Sequence, residues 1–230
     1  MIRKLSKQPT LPLNDPAALP PILSDGLPLP RAVVFDLDYT LWPFWVDTHV
    51  YPPLRAANAE RSAAVDKVGE SFAFYAQVPA VLHGLALAGV KLGVASRTHA
   101  PDLGREMLKL LQVPPASALL EEASVDAVIK AAAAAGQSGA GSAANKKDKV
   151  RKAIDFFDAG LEIYPSSKIQ HFKALGKRMG IPHSEMLFFD DESRNRDTES
   201  LGLTMWLVRD GVTWNEVVEG IKEWRRRKGI

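Results

Sequence analysis

Short apolar runs that end at polar residues alternate with helical patterns along much of this chain. Runs rich in β-branched and aromatic residues predict strands, and helical periodicity between start and stop residues predicts helices. The predicted strands cover residues 32–35, 91–95, 161–164, 186–189 and 204–208, and the predicted helices cover 78–88, 101–111, 167–180, 195–201 and 214–227. This alternation predicts an α/β fold, namely a Rossmann-like three-layer α/β/α sandwich with a parallel central sheet.

Proline and glycine usage suggests how the chain is divided. Seven of the 16 prolines fall within residues 1–30, so we expect a flexible proline-rich leader there and one catalytic domain over residues 31–230. Residues from about 116 to 160 are rich in alanine, glycine and lysine, and we interpret them as an insertion into the domain. Its glycine-serine stretch, residues 136–141, is typical of a flexible linker. Residues 43–78 are expected to leave the main sheet.

Composition excludes several kinds of chemistry. The 230 residues include no cysteine, so disulfides, thiolate zinc sites and cysteine nucleophiles are impossible. The net charge of +2 favours no particular partner, and the basic run 225–228 is typical of a solvated helix end. No window approaches the roughly 20 apolar residues of a membrane helix, and the N-terminus does not resemble a secretion signal. We expect a soluble cytoplasmic monomer, with the nucleus left open, that has neither a nucleic-acid nor a membrane partner.

Chemically active side chains stand where predicted strands end and where one predicted helix begins. These residues are Asp36, Asp38, Ser96, Arg97, Lys168, Asp190 and Asp191. An isolated pair such as Asp36 and Asp38 is more often a helix cap or an aspartate-rich turn, but the company of the other positions favours a shared active site. Because the carboxyl ends of parallel strands lie at one edge of a sheet, we expect these side chains to meet there.

The sequence resembles the haloacid dehalogenase superfamily of hydrolases. Its four motifs correspond to Asp36-Leu37-Asp38-Tyr39-Thr40, Ser96, Lys168 and Asp190-Asp191. Residues 31–53, 95–98, 163–172 and 186–196 more narrowly resemble the magnesium-dependent phosphatase-1 family, for which the string FDLDYTLWPFWVDTHV at residues 35–50 is highly specific. The similarity covers residues 31–115 and 161–225 and omits the leader and the insertion. It implies a HAD-like fold with no large cap domain and a phosphatase activity.

The residue chemistry supports the mechanism that the resemblance implies. A carboxylate attacks phosphorus only when the repulsion between the two anions is reduced, which a hard cation bound by oxygens can do. We expect Asp36 to be the nucleophile that forms an aspartyl phosphate. Asp38 is expected to protonate the leaving oxygen and then to activate water. Mg²⁺ is the expected cofactor, held by Asp36, the backbone carbonyl of Asp38 and Asp191.

The remaining candidates are expected to bind the phosphate or to support the site. Four groups are expected to contact substrate oxygens: Ser96, Arg97, Lys168 and the backbone amide of Leu37. The Lys168 ammonium should also offset charge on Asp36. Asp190 is expected to orient Lys168 rather than to bind the metal, although two adjacent carboxylates could exchange these roles. Thr40 is a candidate to fix Asp38 by a hydroxyl contact.

The sequence constrains the substrate only to a small or exposed phosphomonoester. The resemblance implies phosphotyrosine-type substrates or sugar and ketosamine phosphates, and the sequence does not choose between them. Trp42, Phe44 and Trp45 could stack on an aromatic or sugar leaving group, although such aromatics more often pack in the core. The alternative function is a catalytically weak protein-interaction module that engages a partner through the leader and the insertion. The intact catalytic positions count against that alternative.

Overall fold

The computed structural model describes residues 16–137, 140–145 and 147–230. Its strands are β1 (Ala32–Phe35), β2 (Arg55–Ala56), β3 (Ala63–Val65), β4 (Ser71–Ala73), β5 (Lys91–Ser96), β6 (Gln112–Val113), β7 (Arg151–Lys152), β8 (Gly160–Ile163), β9 (Met186–Asp190) and β10 (Thr204–Leu207). Its α-helices are α1 (Val46–His49), α2 (Val78–Leu87), α3 (Pro101–Leu110), α4 (Glu122–Ala134), α5 (Ala140–Ala144), α6 (Lys168–Met179) and α7 (Trp214–Lys228). Within these described ranges, no helix is both long enough and apolar enough to cross a membrane.

Five parallel strands form the central sheet, in the order β10-β9-β1-β5-β8. The strand ends are matched, since Phe35 of β1 lies beside Val94 of β5 on one side and Phe189 of β9 on the other. The chain places β5 and β8 on one side of β1, then returns to place β9 and β10 on the other side. The connections after β1 and β9 therefore diverge and leave a crevice at the carboxyl ends of the strands, where sheets of this kind bind ligands.

Both faces of the sheet are covered. Side chains along a strand alternate in direction, so Val33 and Phe35 join an apolar cluster with residues of α2, α3 and α7. Ala32 and Val34 face the other way and join a second cluster that contains Phe172 of α6. The predicted three-layer α/β/α sandwich with a parallel central sheet is confirmed.

One predicted helix has a different form. Residues 195–201 lie within a 3₁₀ helix, Ser193–Leu201, rather than an α-helix. Side chains there bind nearby backbone carbonyls: Thr198 Oγ1 donates to the Asn195 carbonyl and Ser200 Oγ to the Asp197 carbonyl, each at 2.7 Å. Short polar side chains that compete for backbone partners in this way disfavour a regular α-helix.

Residues 16–30 are packed against the domain, so the prediction of a flexible leader was wrong for this part. Leu19, Ile22 and Leu23 belong to the main apolar cluster. Arg225 is only 6% exposed, which corrects its assignment to a solvated helix end. Its guanidinium donates to the Asp25 carboxylate and to the backbone carbonyls of Ile22, Leu27 and Pro28. The rest of the predicted leader, residues 1–15, lies outside the described residues.

The two predicted departures from the main sheet differ in structure. Residues 43–78 contain β2, β3 and β4, which form an antiparallel sheet with at most three residues per strand. No large cap domain is present in the described part of the chain. The region predicted as an insertion, about 116–160, contains α4 and α5, which pack on α2. Within its predicted linker, Ser138 and Gly139 lie outside the described residues.

Candidate active site

The sheet brings together side chains that are far apart in the sequence. Asp36 directly follows β1, Ser96 ends β5 and Asp190 ends β9, and these three strands are neighbours. Lys168 is the first residue of α6, where Ser167 caps the helix by accepting a hydrogen bond from the Gln170 amide at 3.3 Å. The predicted strand ends and helix start therefore meet at the edge of the crevice.

Lys168 is buried at the centre of this site. Its Nζ lies 2.8 Å from Asp36 Oδ1 and 2.9 Å from Asp190 Oδ2, and it donates to the Ala95 carbonyl at 2.5 Å. The residue is only 2% exposed, and these acceptors offset the cost of removing the ammonium from water. Burial by itself lowers the pKa of Lys168, but the Asp36 and Asp190 carboxylates outweigh it and hold that pKa above its ordinary value. Lys168 is therefore a fixed positive charge.

Besides Lys168, Asp190 contacts Asn195, which was not among the predicted site residues. Asn195 Nδ2 lies 2.9 Å from each Asp190 carboxylate oxygen, and the Glu192 amide donates to Asp190 Oδ1 at 2.8 Å. Asn195 Oδ1 accepts from Arg97 Nη1 at 3.5 Å. Asn195 thus connects the loop after β5 with the loop after β9. Its only sequence signal is a polar side chain five positions after Asp190, which is common in turns.

Three carboxylates form a cluster that suits a divalent cation. Asp36, Asp190 and Asp191 each offer a carboxylate oxygen, and these oxygens lie within 4.8 Å of one another. With the Lys168 ammonium beside them, three ionised carboxylates carry a formal charge of −2. Oxygen ligands and excess negative charge are what Mg²⁺ sites use. The cluster includes two of the predicted ligands, Asp36 and Asp191, together with Asp190.

Burial shifts the acidity of two of these carboxyl groups. Burial is the largest cause that raises the pKa of Asp36 to about 6; the Asp190 charge adds to this effect, and the Lys168 ammonium opposes it. Burial, followed by the charges of Asp36 and Asp190, raises the pKa of Asp191 to about 7. Both shifts express the cost of holding several negative charges together, which a bound cation would relieve.

The Asp38 carboxylate lies in a different environment. Its Oδ1 accepts from Trp42 Nε1 at 2.7 Å and from the Val46 amide at 3.2 Å. Burial and then the Asp36 charge raise the pKa of Asp38 to about 8, so the group is mainly protonated at neutral pH. The prediction that the Thr40 hydroxyl fixes Asp38 was wrong. Thr40 Oγ1 is buried and has no hydrogen-bond partner among the described residues, whereas the Trp42 indole donates to Asp38.

The candidate phosphate-binding groups lie around the same crevice. Burial raises the pKa of Asp36, and the neighbouring Leu37 amide acts in the opposite direction. Ser96 Oγ, at the end of β5, is buried and accepts from the Thr98 amide at 3.4 Å. Arg97 is half-buried and contacts Asn195, as described above.

Comparison with known proteins places the chain in a family. The family model described as Acid Phosphatase matches residues 28–227, which is most of the sequence. The chain belongs to this acid phosphatase family. A HAD-like hydrolase superfamily protein of Schizosaccharomyces pombe is 38% identical over 179 residues, which are 78% of this chain and 86% of the relative. Human magnesium-dependent phosphatase 1 is 34% identical over 195 residues, which are 84% of this chain and 86% of the relative.

These matches confirm the predicted family, so this acid phosphatase is a HAD-type hydrolase. A crystal structure of the N-terminal part of a Bacteroides fragilis protein, containing a phosphatase domain complexed with Mg, covers 90% of this chain and 42% of that chain. Its TM-score is 0.45 at 14% identity.

The three aromatic residues that follow the first motif, Trp42, Phe44 and Trp45, divide into two groups in this acid phosphatase. Trp42 and Phe44 lie in the apolar core, as the packing interpretation expects. Trp45 is 50% exposed, and its ring stacks with His49 and meets Tyr39 edge-on, with centroid distances of 5.5 and 5.2 Å. Trp45 directly precedes Val46, whose amide holds Asp38. Of the three rings, that of Trp45 is therefore the one exposed at the surface.

Proposed function

We propose that this acid phosphatase hydrolyses phosphomonoesters in a magnesium-dependent reaction through an aspartyl phosphate on Asp36. The observation that carries the proposal is the 2.8 Å pairing of Asp36 with Lys168 inside the cluster of buried carboxylates. Asp36 lies at the ligand-binding edge of the sheet, and its charge partner reduces its repulsion from a phosphate. A carboxylate in this position is suited to nucleophilic attack on phosphorus.

In the first half-reaction, an Asp36 carboxylate oxygen attacks phosphorus and forms an oxygen–phosphorus bond. The bond between phosphorus and the ester oxygen breaks, and the Asp38 carboxyl group gives its proton to the departing oxygen. The raised pKa of Asp38, about 8, supports this assignment because the group holds a proton at neutral pH. Lys168 remains protonated and offsets charge on Asp36 throughout the transfer.

In the second half-reaction, the Asp38 carboxylate removes a proton from a water molecule as that water attacks phosphorus. The bond between Asp36 and phosphorus breaks, which releases inorganic phosphate and restores both aspartates. One residue thus serves as acid and then as base, and no further proton carrier is needed.

The remaining site residues are assigned to the metal and to the phosphate. Asp36, the backbone carbonyl of Asp38 and Asp191 would hold Mg²⁺, while Asp190 stays with Lys168. When bound, Mg²⁺ would screen the phosphate charge and polarise its oxygens. The similarity to human magnesium-dependent phosphatase 1 supports this cofactor. Ser96, Arg97, Lys168 and the Leu37 amide would bind the phosphate oxygens.

The surroundings of Asp38 favour substrates with an exposed phosphate on a flat leaving group. The described residues include no large cap domain over the crevice. Trp45 has an exposed ring and directly precedes Val46, whose amide holds the acid. Aromatic rings and sugar faces both pack on such a ring. We therefore propose phosphotyrosine-type phosphates or sugar and ketosamine phosphates as substrates. No observation in the described residues favours the alternative of a protein-interaction module.

The test is hydrolysis of p-nitrophenyl phosphate by the purified full-length chain, with Mg²⁺ and with a chelator. Asp36→Asn should abolish Mg²⁺-dependent turnover while circular dichroism shows the fold intact. Asp155→Asn is the matched control, because Asp155 is exposed and precedes β8, at the opposite edge of the sheet. Substantial activity in Asp36→Asn would refute the nucleophile, and equal activity with and without a divalent cation would refute the cofactor.

Two further measurements address the finer parts of the proposal. In Asp38→Asn, a good leaving group should still depart, so mass spectrometry should find one phosphoryl group on the peptide that contains Asp36. An unmodified peptide under these conditions would argue for direct attack by water. A panel of phosphotyrosine peptides and of sugar and ketosamine phosphates would rank the substrates by kcat/KM.

A further inference from the structure

The Asp38 carboxylate is held by two donors that reach the same oxygen. Trp42 Nε1 donates to Oδ1 at 2.7 Å, and the Val46 amide donates to Oδ1 at 3.2 Å. The first of these is a short hydrogen bond, and both donors point at the same oxygen. Oδ1 is thereby kept as an acceptor, and the geometry leaves Oδ2 as the oxygen available to exchange a proton with a ligand.

The Trp42 indole is itself fixed by an aromatic stack. Trp42 is fully buried and stacks on Phe44, with ring centroids 5.3 Å apart and planes inclined by 3°. It also stacks on Phe74 at 5.9 Å, while Phe44 meets Phe72 of β4 edge-on at 4.8 Å. Stacked and edge-on pairs of this kind resist rotation of the rings. The direction of the Trp42 N–H bond is thus set by packing against Phe44 and Phe74, and Phe72 of the small antiparallel sheet supports Phe44.

An indole N–H differs from the other side-chain donors that could occupy this place. It donates one hydrogen bond and cannot accept one, whereas a hydroxyl or an amide can do both. A hydroxyl beside Asp38 could accept the carboxyl proton in a hydrogen bond and turn it away from the substrate. Because the Trp42 N–H can only donate, its hydrogen points at Oδ1 and keeps the Asp38 carboxyl proton off that oxygen. This holds both when Asp38 acts as an acid and when it acts as a base.

We propose that Trp42 is the positioning residue of Asp38, and that its indole confines the exchangeable proton to Oδ2. In this proposal Oδ2 gives the proton to the leaving oxygen and takes one from the attacking water. This inference rests on the proposed function, which assigns acid and base chemistry to Asp38. It gives the small sheet β2-β3-β4 an indirect role in catalysis, because Phe74, just after β4, stacks on the indole and Phe72 of β4 packs on Phe44.

The experiment uses Trp42→Phe, which keeps an aromatic ring in the stack and removes the N–H donor. The substrates are aryl phosphates whose para substituent changes the acidity of the departing phenol but hardly changes its shape. A misplaced proton should matter little for p-nitrophenol, which leaves as an anion, and much for phenol or p-methoxyphenol. We measure kcat/KM for each, since this constant covers the steps up to release of the phenol.

The matched control is Trp224→Phe, since Trp224 is also buried and its Nε1 donates to the Ser184 carbonyl at 3.0 Å. Trp42→Phe should lower kcat/KM about 10–100-fold for phenyl phosphate and less than about 3-fold for p-nitrophenyl phosphate, so the dependence on leaving-group acidity becomes steeper. Trp224→Phe should leave that dependence as in the wild type. An equal loss on all substrates in Trp42→Phe would overturn the inference.

Two more variants distinguish a failure of the inference about Trp42 from a failure of the proposed function. Phe44→Leu retains the donor but loosens the stack, so it should steepen the dependence in the same direction, and it serves if Trp42→Phe does not fold. An unchanged dependence in Phe44→Leu would then count against the inference. Asp38→Asn should show the steepest dependence of all. If Asp38→Asn hydrolyses every substrate like the wild type, the proposed function has failed at Asp38 and the inference fails with it.

Discussion

Asn195 donates through Nδ2 to both carboxylate oxygens of Asp190, at 2.9 Å each, and so holds the carboxylate that orients Lys168. Asn195→Ala should lower kcat/KM or Mg²⁺ affinity by about 10–100-fold, the usual effect of losing a group that positions a metal-site or catalytic residue. Steady-state kinetics and a Mg²⁺ titration measure this. Asn58→Ala is the matched control, because Asn58 is exposed and bonds only locally with Ser62. Equal activity in the two variants would contradict the role of Asn195.

Lys168→Met should destabilise the protein as well as inactivate it. The substitution leaves the buried carboxylates of Asp36 and Asp190 without their shared cation, which typically costs roughly 3–5 kcal/mol of unfolding free energy. Urea unfolding of the wild type and the variant at pH 8 measures the loss. Adding Asp36→Asn to Lys168→Met removes one of the uncompensated charges and should recover part of the lost unfolding free energy. Additive destabilisation in the double variant would show that the two groups are not coupled.

Binding of Mg²⁺ should weaken in acid. Burial is the main reason why the pKa of Asp36 is raised to about 6 and that of Asp191 to about 7. A carboxyl group must be ionised before it can bind the metal. As the pH falls through 7 and then 6, protons occupy these carboxylates and compete with the ion. The apparent affinity should fall on the order of 100-fold between pH 8 and pH 5.5. Calorimetry in buffers of different ionisation enthalpy should detect proton release, and an affinity independent of pH would contradict this prediction.

The buried histidine His83 should make the protein less stable in acid. Its Nε2 lies 2.8 Å from the Pro114 carbonyl, and burial, aided by the charge of Arg151, lowers its pKa from 6.5 to about 4. Between these values the unfolded chain binds a proton that the folded chain does not, so stability is lost as the pH falls. The loss attributable to His83 between pH 7.5 and pH 5 is about 2 kcal/mol.

The variant that tests this prediction is His83→Gln, whose amide can still donate to the Pro114 carbonyl but does not titrate. The unfolding free energies of wild type and variant, measured in urea at both pH values, give the difference in their pH dependence. His171, whose pKa is also lowered to about 4 by burial, is present in both proteins and cancels from that difference. A pH dependence equal in wild type and variant would exclude His83 as the cause.

The strands and the polar residues at their ends were predictable because both are local signals. The run 32–35 is β-rich and stops at Asp36, and the structure has β1 over Ala32–Phe35. The order of the elements predicts a parallel sheet, and a parallel sheet places the residues that follow its strands at one edge. The neighbourhood of Asp36, Lys168, Asp190 and Asp191 is a consequence of that topology rather than of any single motif.

The partners of these side chains could not be predicted in the same way. The Trp42 indole rather than the Thr40 hydroxyl reaches Asp38, and that depends on how the chain turns after β1. Asn195 contacts Asp190 only because the segment after β9 forms a 3₁₀ helix that folds back over the strand end. Such contacts depend on side-chain direction in three dimensions, which the spacing of residues does not encode.

Residues 16–30 misled the sequence analysis for a related reason. Prolines interrupt any periodic pattern in this segment, and the residue that binds it, Arg225, follows it by about 200 positions. A protein shortened to begin at residue 31 would retain every group assigned to catalysis. It would nevertheless strip a guanidinium of its acceptors and open to water the hollow that Leu19, Ile22 and Leu23 now fill. The boundary suggested by the prolines is therefore a poor place to cut this gene.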